Sequence, residues 1–97
     1  MNVNYTNDPI EIGRRAASEG RIIQVVALGY PDLRLECNDG NVVQGKFIGT
    51  RSVISPDSNG KTRHGFVVSL QTSWDDEYIY DLDISSIKTI EGLPSAA

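Results

Sequence analysis

The chain has 97 residues, of which 39% are hydrophobic and 23% charged, with a formal net charge of -4. That is one ordinary globular domain, too apolar for a disordered chain and too short for two domains. A single cysteine, Cys37, excludes an internal disulfide framework, and the acidic balance excludes a uniformly nucleic-acid-binding surface.

The head, Met1 to Asn7, is polar and reads as loose. It has no basic region followed by an apolar stretch, so no signal peptide is expected and a cytoplasmic, reducing compartment is the default. No apolar run approaches the roughly 18 residues of a membrane span.

Two helix positions compete next. Asp8-Pro9-Ile10-Glu11 has a cap residue, a proline at the first helical position and a Glu three after the cap. That predicts a helix from Pro9 to about Glu19, ended by Gly20, with Arg21 to Leu28 (RIIQVVAL) as a β-branched strand. The rival is a helix over Ser18 to Leu28, stopped by Gly29 and Pro31. Local propensity slightly favours the first.

From Leu33 onward the pattern is that of strands. Leu33, Leu35 and Cys37 alternate with Arg34, Glu36 and Asn38, and Asn38-Asp39-Gly40 marks a tight turn. Asn41 to Thr50 is a second strand, with Gly45 and Gly49 expected at a bend or a close backbone approach. Ser52 to Arg63, holding Pro56, Asp57, Ser58, Asn59 and Gly60, reads as a long polar loop. FVVSL at Phe66 to Leu70, YIYDL at Tyr78 to Leu82 and SIKTI at Ser86 to Ile90 are three more strands, with an acidic turn, Ser73 to Glu77, after the first. Gly92 to Ala97 reads as a flexible tail. Five short strands at tight spacing predict a mainly β fold, an antiparallel barrel closed on itself.

The run LRLECNDGNVVQGKFIGTR, Leu33 to Arg51, resembles the first motif of the Sm-like superfamily, which holds the Sm and LSm proteins and bacterial Hfq. Asp39-Gly40, Gly45 and the apolar Phe47 stand at its spacing, and Gly49 fits as well. YDLDISSI, Tyr80 to Ile87, falls where the second motif belongs. The resemblance covers Pro31 to Glu91 and implies a strongly bent five-stranded barrel, akin to SH3-like barrels, behind a short helix. By that analogy the helix is expected at Ser18 to Leu28, which divides the chain into an N-terminal extension (1–17), the Sm-like unit (18–91) and a tail (92–97).

What the resemblance implies about function is a homo-oligomeric ring of five to eight chains, of bacterial or phage origin, that binds RNA without catalysis. The family's RNA-contacting positions are altered here. Its Asp falls on Arg51, its Asn on Ser55 or near Gly65, and the paired residues of the second motif on Asp81 and Leu82. The usual uridine pocket is therefore absent from this sequence.

Other cations are the RNA candidates. If the expanded loop faces a ring pore, it brings Arg51, Lys61, Arg63 and His64 to the axis. Arg14, Arg15 and Arg21 form a weaker cluster beside the helix. The alternative is a protein-interaction module, as in the small Sm-like inhibitors of the terminator Rho, which carry an acidic surface. Residues 72 to 91 have six acids against Lys88 alone. Trp74, Tyr78 and Tyr80 are aromatic stackers in principle, but their acidic neighbours favour barrel packing or a subunit contact. Asp75-Asp76-Glu77 as a cation site, and Asp57-Ser58-Asn59-Gly60 as a calcium loop, lack converging partners. One Cys and one His argue against zinc, and no nucleophile constellation argues for an enzyme.

Overall fold

The computed structural model describes residues 3–72 and 78–94. Helix α1 (Pro9–Ala27) leads into five strands, β1 (Asp32–Cys37), β2 (Val42–Pro56), β3 (Thr62–Thr72), β4 (Ile79–Asp83) and β5 (Ile87–Leu93), with a 3-10 turn at Ile84–Ser86 between the last two. The acidic turn with Trp74 lies outside the described residues.

Helix α1 joins the two competing positions into one element. Its start is the one the cap signal predicts: the Asp8 carboxylate accepts from the Ile10 N–H at 3.0 Å, with Pro9 at the first helical position. Its end is the one the stop signal predicts, where Gly29 turns the chain at φ 103° and Pro31 follows. Gly20, expected as a terminator, sits mid-helix. The β-branched run is helical because its side chains bury there. Ile22 is fully enclosed, and Ile12, Val25 and Val26 pack against the sheet core on the same side. Tertiary burial outweighs the few tenths of a kcal/mol of local preference. The helix is nine residues longer at its start than the Ser18 to Leu28 expectation, and so is not short.

All strand pairs are antiparallel, in the order β4-β3-β2-β1-β5. Leu33, Leu35 and Cys37 face inward as their alternation predicts, joined by Val43, Phe66, Val68, Leu70, Leu82 and Ile84. Gly40 takes φ 88° in the β1–β2 turn, where the Asp39 carboxylate accepts from the Asn41 N–H at 3.0 Å. Gly45 is required by proximity, because a Cβ there would run into the Gln71 carbonyl oxygen. Gly49 meets nothing, and the strand's irregularity falls beside it, at a bulge between Phe47 and Gly49.

Three expectations need correction. The long polar loop is instead a β-ribbon: β2 and β3 stay paired out to Pro56↔Thr62, leaving only Asp57 to Lys61 as a turn. The sheet is not closed on itself, since β4 and β5 each end it and do not pair with one another among the described residues. The described parts of both end segments pack onto the sheet as well. Thr6 bridges His64 through two backbone bonds, the Asp83 carboxylate accepts from the Asn4 N–H, and β5 runs on to Leu93 with Gly92 against the Tyr30 ring. Among the described residues no helix is long and apolar enough to cross a membrane.

Candidate nucleic-acid interface

Two paired strands stand where a polar loop was expected, and this changes what its cations can do. Arg51 lies on β2, where Gly49 pairs with Ser69 of β3, which in turn pairs with Asp81 of β4. Its guanidinium donates to Ser69 Oγ at 3.2 Å and to Asp81 Oδ2 at 3.4 Å, while Ser69 Oγ donates to Asp81 Oδ1 at 2.5 Å. The hydroxyl bond, with Arg51 adding to it, holds the Asp81 carboxyl below its ordinary range against a weaker opposing effect of burial. Arg63 is engaged too. It donates to the Ser55 and Pro56 carbonyls at 3.5 and 3.3 Å and lies over the Tyr5 ring, 5.5 Å from its centroid. Its neighbour His64 is held by its backbone to Thr6. Lys61 stands in the exposed tip turn, with no ion pair among the described residues.

The helical cluster divides in the same way. Arg15 is 6% exposed, bonded to Glu11 Oε1 at 3.1 Å and to the Asn4 carbonyl. It fastens the N-terminal arm. Arg14 is exposed, with a loose pair to Glu11 at 3.9 Å. Arg21 lines a groove of about 530 Å³ between α1 and β5, floored by Val25, Leu28 and Ile90 and rimmed by Arg21, Gln24 and Lys88. Of the seven cationic candidates, Arg14, Arg21, Arg51 and Lys61 are exposed, Arg51 while still paired with Asp81; Arg14 and Arg21, seven residues apart on α1, share a helix face, and Lys61 stands in the ribbon's tip turn.

Sequence reasoning missed this groove. Its signal was the apolar run Ile22 to Leu28, longer than one buried face needs: Leu28 is 71% exposed. It also missed a second cleft, of about 480 Å³, between the β1–β2 turn and the 3-10 turn. Asp39, Asp81 and Asp83 line it with Asn38, Asn41 and Ser85, and no basic residue is among its described lining. Burial pushes the Cys37 thiol, which also lines this cleft, up from its ordinary value.

No protein-family model and no curated protein matches this chain. Its structure is similar to the crystal structure of XC5848 from Xanthomonas campestris, described as adopting a novel variant of the Sm-like motif. The TM-score is 0.69 over 96% of each chain, at 11% sequence identity. At that identity the likeness is one of fold. Together with the bent five-stranded sheet behind an N-terminal helix, it makes this chain a divergent example of the Sm-like fold.

Proposed function

We propose that the chain is a non-catalytic subunit of a ring of identical chains, and that the ring binds RNA through its solvent-facing cations. The observation that carries the ring is the complementarity of the two sheet ends. An open edge offers unpaired backbone groups. Strand β4 is one such edge, and Tyr80 and Tyr78 share the face of the core residue Leu82 by the period of two. Both tyrosines are exposed, 39% and 49%. Strand β5 is the other edge, and on its core face lies the groove under α1. When β4 of one copy continues the sheet beyond β5 of the next, the core faces become continuous. The tyrosines then land on the side of the groove. Such a head-to-tail contact repeats around an axis and closes if the rotation allows.

RNA contact rests on Arg14, Arg21 and Lys61, multiplied by the ring. The test is anisotropy of a labelled RNA across a salt series. Binding should weaken log-linearly with salt. Lys61→Ala or Arg14→Ala should lower the slope magnitude by about one for each phosphate that the side chain neutralises in the wild type. Absence of any salt-dependent binding overturns the RNA reading.

One observation favours the second reading, a protein partner. Arg15, Arg51 and Arg63 are occupied within the chain, and the cleft beside the 3-10 turn is acidic. A partner presenting cationic side chains suits that cleft, and Asp39→Asn would weaken its binding without changing RNA affinity.

A further inference from the structure

The ribbon has a third open edge, distinct from β4 and β5. The Phe47 N–H donates to the Pro31 carbonyl at 2.9 Å, and past this point β1 no longer accompanies β2. Which backbone groups are then exposed follows from the other side of the ribbon. His64 exchanges both of its backbone bonds with Thr6, at 2.9 and 2.7 Å, so its N–H and C=O point away from β2. Its partner across the ribbon is Ile54, which must therefore belong to a non-hydrogen-bonded pair. Alternation along the ladder fixes the rest. Ile54, Ser52 and Thr50 aim N–H and C=O outward, while Val53 and Arg51 bond to β3. Nothing pairs with those outward groups among the described residues.

Natural edges are guarded by charge, proline or bulges. Between the bulge at Phe47/Gly49 and Pro56, the stretch Gly49 to Ser55 reads GTRSVIS, with one charge and no proline. That charge, Arg51, is turned to Ser69 and Asp81 of its own chain. Ile48 and Ile54 flank the edge, 47% and 68% exposed. A two-stranded ribbon is marginal in water without a third strand. The N-terminal arm supplies one on the β3 side only at Thr6, and the β2 side has none among the described residues.

We propose that this edge pairs with the same edge of a second copy of the chain, antiparallel about a two-fold axis. The sequence is self-complementary in the register centred on Ser52. Ser52 faces its own counterpart, and Thr50 faces Ile54 in both directions. Every outward N–H and C=O of the three residues then has a partner, because all three stand at even spacing. Charge agrees with this register. Arg51 falls opposite Val53 of the second copy, so like charges are not directly opposed. The pairing uses neither β4 nor β5 and does not depend on the ring.

The test is the solution mass of the full chain by light scattering, with Ser52→Pro and Ile54→Lys as edge variants and Leu28→Lys as a variant of the β5 groove. The Ser52 N–H points outward, so proline there removes no bond of the ribbon. Ile54 is largely exposed, so lysine there should leave folding intact, checked by circular dichroism. The expected result is an even number of chains in the wild type and a halved mass in both edge variants. If the ring fails but the edge holds, the wild type is a dimer and the edge variants are monomers. Leu28→Lys then changes nothing. An odd number of chains, or an unchanged mass in Ile54→Lys, overturns the proposal, and the unchanged mass is also what a foreign peptide on this edge predicts.

Discussion

The most informative side chains are those that join neighbouring strands. Ser69, Asp81 and Arg51 link β3, β4 and β2 through one carboxylate. The Asp81 pKa is lowered from 3.8 in the fold, first by the Ser69 hydroxyl. A depressed carboxyl contributes stability above its unfolded value and loses it as pH falls through its folded value. The denaturant midpoint should therefore drop from about pH 4 downward, and Asp81→Asn should flatten that drop. Carboxyl titration by NMR should show Ser69→Ala raising the Asp81 value more than Arg51→Ala. Packing gives a second prediction at this scale. Gly45→Ala drives a methyl into the Gln71 carbonyl and should destabilise by about 1–3 kcal/mol in urea unfolding, whereas Gly49→Ala meets open space and should not. The motif made Gly45 and Gly49 look equivalent. Only the register of β3 distinguishes them, and register is not local information.

Among the elements, helix and ribbon show where local signals ended. Each end of α1 was legible on its own, Asp8-Pro9 at the start and Gly29 at the stop. Their union was not, because Gly20 and the β-branched run argue locally against it. What overrules them is Ile22 buried against the sheet. The cap and the glycines should then behave as in any helix. Asp8→Ala should cost about 1 kcal/mol, and Gly20→Ala, with nothing near its Cβ, should gain up to about 1 kcal/mol. Ile22→Ala should cost about 2–5 kcal/mol through the cavity it leaves. All three are read from thermal or urea midpoints. The ribbon was hidden for a similar reason. Its turn residues are at Asp57 to Gly60, but the polar Ser52, Ser55, Thr62 and Arg63 around them look like loop. They are strand because two edges pair, and Arg63 spans them to reach Ser55. Arg51 and Arg63, expected on or beside a polar loop, are thereby held on paired strands: Arg51→Ala and Arg63→Ala should reduce stability more than they reduce any RNA affinity.

The whole molecule poses a problem of edges. Five strands in the order β4-β3-β2-β1-β5 bury one core but leave the sheet unclosed among the described residues, and a chain of this size gains from covering what remains. The resemblance of Leu33 to Arg51 to the Sm-like motif made the five-stranded antiparallel sheet legible in advance, since turn glycines and alternation are read along the chain. Groove and tyrosines were not legible as a pair, because they lie at opposite ends of the sheet, which only the strand order reveals. The ring stands or falls on whether these two ends fit one another. Native mass spectrometry of the intact chain, beside Leu28→Lys, decides it. One closed species with a fixed number of chains should persist across a dilution series, and it should collapse when lysine enters the groove. A wild type that stays monomeric or dimeric at every concentration would rule the ring out.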